Sequence, residues 1–194
     1  MKATIYFLVR VEDSYNNYVE LDNGVKLSTN NSIDSVQHIN RVGKVISAPK
    51  GTIVDEGDFI LFHHNICRES WGNKSKRRSS VFAISDNEYF VPIPEIFMYM
   101  KEGTEKWKAI APFVFIKPIP AEKIKLKNGL EVTEESYNGM KPLMGKVAYV
   151  NKELEEKGVN EGDIIAFQQY SEHEYKIKDE IFYKMKNKDI LAIL

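Results

Sequence analysis

The feature that most constrains this chain is that it repeats itself. Val42-Gly43-Lys44-Val45 returns as Met144-Gly145-Lys146-Val147, and Asn23-Gly24-Val25-Lys26-Leu27 returns as Asn128-Gly129-Leu130-Glu131-Val132. Between and after them, Glu56-Gly57-Asp58-Phe59-Ile60-Leu61-Phe62 returns as Glu161-Gly162-Asp163-Ile164-Ile165-Ala166-Phe167. The glycines are displaced by 102, 105 and 105 positions, in unchanged order. Self-similarity of this kind means one supersecondary plan used twice. The halves also end alike. Tyr89-Phe90-Val91 precedes Glu95-Ile96-Phe97-Met98-Tyr99, and Phe182-Tyr183 precedes Asp189-Ile190-Leu191-Ala192-Ile193. There the displacement falls to 94, so the first half carries about 11 extra residues after Phe62, an insertion near 67–80. The expected domains are therefore 1–102 and 110–194, with the charged stretch from Glu102 to Ala111 between them.

Within each half the local pattern is β. Phe59–Phe62 and Ile164–Phe167 are nearly continuous apolar runs, the form expected of strands buried on both faces. Each follows Glu-Gly-Asp, a tight turn in which glycine supplies the backbone conformation. Pro92, Pro94, Pro118 and Pro120 exclude long helices where they fall and suit strand ends or edges. One helical turn is expected, over Asn151–Lys157, closed by Gly158. The predicted class is all-β: two tandem small β-barrels with little or no helix.

Two barrels of fewer than about 100 residues each bury a small fraction of their surface, which favours oligomerisation. With 43% hydrophobic and 28% charged residues the chain can nevertheless build cores. Its net charge of −1 offers no global field for a phosphate backbone, which argues against nucleic acid as the default partner. The single Cys67 excludes an internal disulfide framework and fits a reducing compartment. Met1–Val11 lacks the apolar run and cleavage site of a signal peptide and is too short to span a bilayer; it reads as a first strand, and the expected location is cytoplasmic.

The second half carries a family resemblance. Val114-Phe115-Ile116-Lys117-Pro118, the loop with Asn128-Gly129-Leu130-Glu131-Val132, Gly145-Lys146-Val147, Glu161-Gly162-Asp163-Ile164-Ile165-Ala166-Phe167 and the closing Asp189-Ile190-Leu191-Ala192-Ile193 follow one another as in the GroES-type co-chaperonins. The ending is the most specific of these elements. The first half resembles a diverged copy, and tandem co-chaperonins of plastids and co-chaperonins of phages are similar in outline; a phage origin would place the chain in the host cytoplasm.

The resemblance implies a homo-oligomeric ring that caps a GroEL-type chaperonin through mobile loops and assists ATP-dependent folding, with no catalytic residues, cofactor or metal of its own. It assigns the contact to Gly24, Val25 and Leu27 in the first half and to Gly129, Leu130 and Val132 in the second. Both loops depart from the family's apolar tripeptide, with Lys26 and Glu131 at the middle position. The intervals from Ile46 to Glu56 and from Ala148 to Glu161 are also short for the hairpin that roofs the dome in bacterial members.

The residues themselves support a contact role. Asp13–Arg41 and Ala121–Met144 are long, polar and poor in strand signals, and segments beyond about 12–15 residues without structure are usually functional or disordered. In an extended segment Val25 and Leu27, or Leu130 and Val132, face one way. The bland alternative is that these pairs pack on the barrels. His63, His64 and Cys67 are too few for a metal site and read as polar residues leaving a strand. Trp71–Arg78 has the aromatic and basic composition of a nucleic-acid contact, but reads as a solvated loop. No phosphate-binding loop or nucleophile–base arrangement is present, so the chain is read as a non-enzyme. The alternative functions are a small-barrel nucleic-acid-binding protein and a structural scaffold.

Overall fold

The computed structural model describes residues 2–13, 18–28, 39, 41–71, 77–85, 87–125, 131–133, 139–177 and 180–194. The chain divides into two compact units, Met1–Trp107 and Lys108–Leu194. The first unit holds β1 (Phe7–Arg10), β2 (Tyr18–Glu20), β3 (Lys26–Ser28), β4 (Val42–Ser47), β5 (Phe59–Phe62), β6 (Ser70–Trp71), β7 (Arg77–Arg78), β8 (Ala83–Ser85), β9 (Glu88–Val91) and β10 (Ile96–Met100), with β11 (Trp107–Ala109) at the boundary. The second holds β12 (Phe113–Pro120), β13 (Lys123–Lys125), β14 (Glu131–Thr133), β15 (Met140–Tyr149), the helix α1 (Lys152–Glu156), β16 (Ile164–Phe167), β17 (His173–Ile177), β18 (Glu180–Lys186) and β19 (Ile190–Ile193). Nearly all the regular structure among the described residues is strand, and α1 is the one α-helix there, as the all-β reading expects.

The main sheets run β11-β10-β5-β4-β1-β9-β8 and β17-β18-β12-β15-β16-β19. With β11 set aside, the second order is the first read in reverse, strand for strand. Registers agree as well. Gly43 lies opposite Ile60 as Gly145 lies opposite Ile165. Val9 lies opposite Val45 as Ile116 lies opposite Val147, and a bulge falls just before both, between Leu8 and Val9 and between Phe115 and Ile116. A bulge sharpens local twist, and its recurrence at matching positions gives the two sheets the same bend.

The Glu-Gly-Asp turns show why that sequence recurs. Gly57 (φ 94°) and Gly162 (φ 98°) occupy the left-handed region that side chains resist. Their N–H groups donate to Val45 and Val147 carbonyls at 2.9 and 2.8 Å. The following carboxylates close the turns: Asp58 Oδ2 accepts from the Asp55 N–H at 2.8 Å and Asp163 Oδ2 from the Asn160 N–H at 2.7 Å. Each turn then delivers an apolar strand to the core. Ile60, Leu61 and Phe62 are all buried, whereas in the second unit only Ile165 and Phe167 are, and Ile164 is 42% exposed. The expectation of burial on both faces therefore fails at Ile164, which stands beside the terminal strand β19 at the sheet edge.

Pro118 and Pro120 fall within β12, an interior strand, yet β18 pairs with β12 only as far as Ile116. Beyond that point β12 pairs with β15 alone, so the prolines sit where no ladder donor is needed. The core of the second unit joins Val114, Ile116, Val147, Ile165, Phe167 and Met185 to Leu154 of α1. Asn151 caps that helix: its Oδ1 accepts from the Leu154 N–H at 3.2 Å and its Nδ2 donates to the Phe113 carbonyl at 2.6 Å. Between β4 and β5 there is no regular element, and between β15 and β16 only α1; neither interval holds a roof hairpin.

Candidate functional site

The two segments read as strandless loops each contain a β-hairpin. In the first, Tyr18 pairs with Ser28, Val19 with Leu27 and Glu20 with Lys26. In the second, Lys123 pairs with Thr133, Ile124 with Val132 and Lys125 with Glu131. Every pair of the second is the matching pair of the first displaced by 105, the displacement of the Asn-Gly motif itself. The missed signal was alternation about a turn, with apolar residues at 19, 21, 25 and 27 on either side of Asp22-Asn23-Gly24.

Leu21–Gly24 form the turn. The Gly24 N–H donates to the Leu21 carbonyl at 2.8 Å, the Leu21 N–H to the Val25 carbonyl at 2.9 Å, and the Val25 N–H to Asn23 Oδ1 at 3.1 Å. Gly24 has φ 78° with nothing near its missing Cβ, so glycine is there for backbone conformation and not for close approach. The arrangement lifts apolar side chains into solvent: Leu21, Val25 and Leu27 are 41%, 48% and 50% exposed. Leu21, absent from the sequence reading, belongs with Val25 and Leu27. Of the second set, Gly129 and Leu130 lie outside the described residues, and Val132 is a β14 residue opposite Ile124. The hairpin's root is fixed, with the Ala121 N–H bonded to the Gly139 carbonyl at 2.9 Å.

The remaining candidate chemistry is spoken for locally. His63 Nδ1 accepts from the Asn65 N–H at 3.1 Å, and its ring stacks on His64 with centroids 4.1 Å apart. Cys67 is fully buried, and burial pushes its thiol up to about 12. No group of three or more His, Cys, Asp or Glu placed to hold a metal occurs among the described residues. Trp71–Arg78, read as a solvated loop, instead opens and closes as a strand pair, Ser70 with Arg78 and Trp71 with Arg77; residues 72–76 lie outside the described residues. No described helix is long and apolar enough to cross a membrane.

Each unit joins a main antiparallel sheet to a separate two-stranded hairpin. Comparison with known proteins names the family. Residues 106–194 match the family model described as "Chaperonin 10 Kd subunit". The chain is 31% identical over 96 residues to the co-chaperonin GroES of Solidesulfovibrio magneticus, covering 97% of that protein and 46% of this one. It is 32% identical to GroES of Kosmotoga olearia (85% of that protein, 41% of this one) and 33% to that of Chlorobium luteolum (96% and 45%). The chain belongs to the chaperonin 10 family of co-chaperonins, which is a family of co-chaperones and not of catalysts.

Proposed function

We propose that the chain caps a GroEL-type chaperonin ring, with both hairpins as contact elements and both units as co-chaperonin barrels derived from a duplication. The observation that carries this is the exposed apolar face of Leu21, Val25 and Leu27 on a hairpin whose register recurs in the family-matched unit. Gly24, Val25 and Leu27, with Gly129, Leu130 and Val132, are the assigned contact residues. In this reading the two barrels are the domains expected from the sequence, 1–102 and 110–194.

The energetics suit a lid that must come off. Fully burying an aliphatic side chain is worth about 1.5–3 kcal/mol, so covering three that are already half-buried gains roughly 3 kcal/mol per hairpin. Association costs at least about 4 kcal/mol in lost translational and rotational freedom, which leaves a single hairpin without net affinity. Several hairpins on one assembly bind together through effective concentration, and a conformational change in the partner's grooves releases them together. The terminal strand supplies a means of assembly. β19 is a sheet edge carrying Leu191 and Ile193 at 66% and 48% exposure, followed by Leu194 at 64%, and an apolar edge of this kind is covered by pairing with another copy. The assembly acts in the cytoplasm as a homo-oligomeric ring, with ATP turnover left to the chaperonin.

The test is refolding of a denatured client by a chaperonin and ATP. The wild-type chain raises the yield, and the V25S/L27S/L130S/V132S variant does not. Equal yield from wild type and variant would remove the hairpins from the contact.

A further inference from the structure

The second unit holds a cavity of about 310 Å³, opening between the turn after β16 and the strand β18. Its wall is strongly cationic. Lys184, Lys186 and Lys188 line it together with His173, against Asp189 as the single lining carboxylate. Asp189 Oδ2 already accepts the Lys186 N–H at 3.1 Å. The chain as a whole carries a net charge of −1, so this concentration of ammonium groups is local.

The first unit shows that the fold does not require these lysines. At the displacement of 94 that relates β18 to β9, their counterparts are Phe90, Pro92 and Pro94. The register confirms the match, since Phe90 lies opposite Leu8 as Lys184 lies opposite Phe115. A sister unit of the same topology folds with an aromatic residue and two prolines in place of the three lysines.

The cavity also has an aromatic component. The Lys184 ammonium stands 4.9 Å from the ring centroid of Phe113, another lining residue, and 5.6 Å from that of Tyr175. Tyr170, at the rim, is 85% exposed and holds a left-handed backbone (φ 64°), rare for a non-glycine residue. The turn that bears it is closed by the Ser171 hydroxyl donating to the Gln168 carbonyl at 2.6 Å. A non-glycine residue held in this conformation points to a functional constraint, and Tyr170 lines the same cavity as the three lysines.

We propose that this cavity binds multiply charged phosphate anions, with Lys184, Lys186 and Lys188 as the cationic contacts. Lysine meets phosphate as a point charge, and three of them match a chain of phosphates better than one carboxylate. Two sources share this chemistry: inorganic polyphosphate, and a nucleoside triphosphate whose base would stack on Tyr170.

The test is calorimetric titration of the full-length protein, metal-free, with sodium triphosphate and in parallel with ATP. Triphosphate is expected to bind saturably and more weakly as salt rises. Affinity should fall roughly tenfold or more in K184Q/K186Q/K188Q and by less in K188Q, and should be unchanged in K152Q, on the exposed face of α1. Circular dichroism of each variant should match wild type, as the sister unit, with Phe90, Pro92 and Pro94 at the matching positions, implies. ATP binding tighter than triphosphate, with the excess lost in Y170A, identifies a nucleotide site; equal affinities identify a polyphosphate site. Absence of saturable triphosphate binding, or a triple variant that binds as wild type does, overturns the assignment.

Discussion

Gly145 offers the most exacting test of how this fold is held together. A Cβ at this position would overlap Cγ2 of Ile116 and stand 3.2 Å from the Lys117 carbonyl oxygen. Ile116 is fully buried and β-branched, so its side chain has little freedom to turn aside. The backbone at Gly145 is not left-handed, so the cost of G145A is steric and not conformational. Overpacking of this kind costs about 1–3 kcal/mol. Replacing glycine by alanine returns about 0.4–1 kcal/mol by restricting the unfolded chain. The net expectation is a loss of about 1–2 kcal/mol, or roughly 0.5–1 M in the urea midpoint of the unit for an ordinary dependence on denaturant. In an I116A background the clashing methyl is gone, and G145A should cost nothing or stabilise. A double-mutant cycle should therefore show a coupling of about 1 kcal/mol or more. G145A that unfolds at the wild-type midpoint, or costs the same in both backgrounds, refutes the argument. The same reasoning applies to G43A, whose Cβ would overlap Cγ1 of Val9 and stand 3.0 Å from the Arg10 carbonyl oxygen.

Other predictions follow from the charge and thiol chemistry. Burial alone would raise the Asp58 pKa, but the N–H groups of Asp55 and Glu102 and the Lys101 ammonium at 2.8 Å outweigh it and hold the carboxyl below its usual 3.8. Its contribution to stability is therefore complete above the unfolded value and lost as pH falls through the lower folded one. K101M, which strips a partner from this buried carboxylate, should cost about 1–3 kcal/mol at neutral pH and less towards pH 2; a loss independent of pH in acid denaturation contradicts the pairing. Cys67, its thiol pushed up to about 12 by burial, should resist alkylation by iodoacetamide at pH 8 until denaturant is added; rapid labelling of the folded protein contradicts its burial. N151A, which removes the α1 cap and its bond to the Phe113 carbonyl, should lower the melting temperature by several degrees, the equivalent of about 1–2 kcal/mol. An unchanged melting curve would show that the cap does not matter.

Much of the fold was legible because its constraints are short-range. The Glu-Gly-Asp turns announce a left-handed glycine and a carboxylate closing on its own backbone, and both act within four residues. The helix over Asn151–Lys157 was legible for the same reason, as an Asn cap and a closing Gly. Internal repetition then aligned the halves without any long-range information. What escaped was decided by neighbours distant in sequence. The hairpin β2–β3 was hidden because three-residue strands give a weak alternation signal, and polar segments of that length read as loops. Ile164 reads as core because its strand is apolar throughout; burial alternates along β16, with Ile165 and Phe167 inside and Ile164 on the outer face. Leu21 lies before the glycine and outside the motif, and only the hairpin brings it to one face with Val25 and Leu27. Lys184, Lys186 and Lys188 alternate in the sequence, but the residues that complete their cavity, Phe113 and Gln168–Ser171, join them only when the unit is folded.

The account turns on whether the hairpins bind a chaperonin and let go of it. The direct measurement is co-sedimentation of the full-length chain with a double-ring GroEL-type chaperonin, with and without nucleotide, beside V25S/L27S/L130S/V132S. The account predicts wild-type protein in the chaperonin fraction only when nucleotide is present, and none of the variant there in either condition. Binding that ignores nucleotide, or that survives loss of all four apolar side chains, would contradict it.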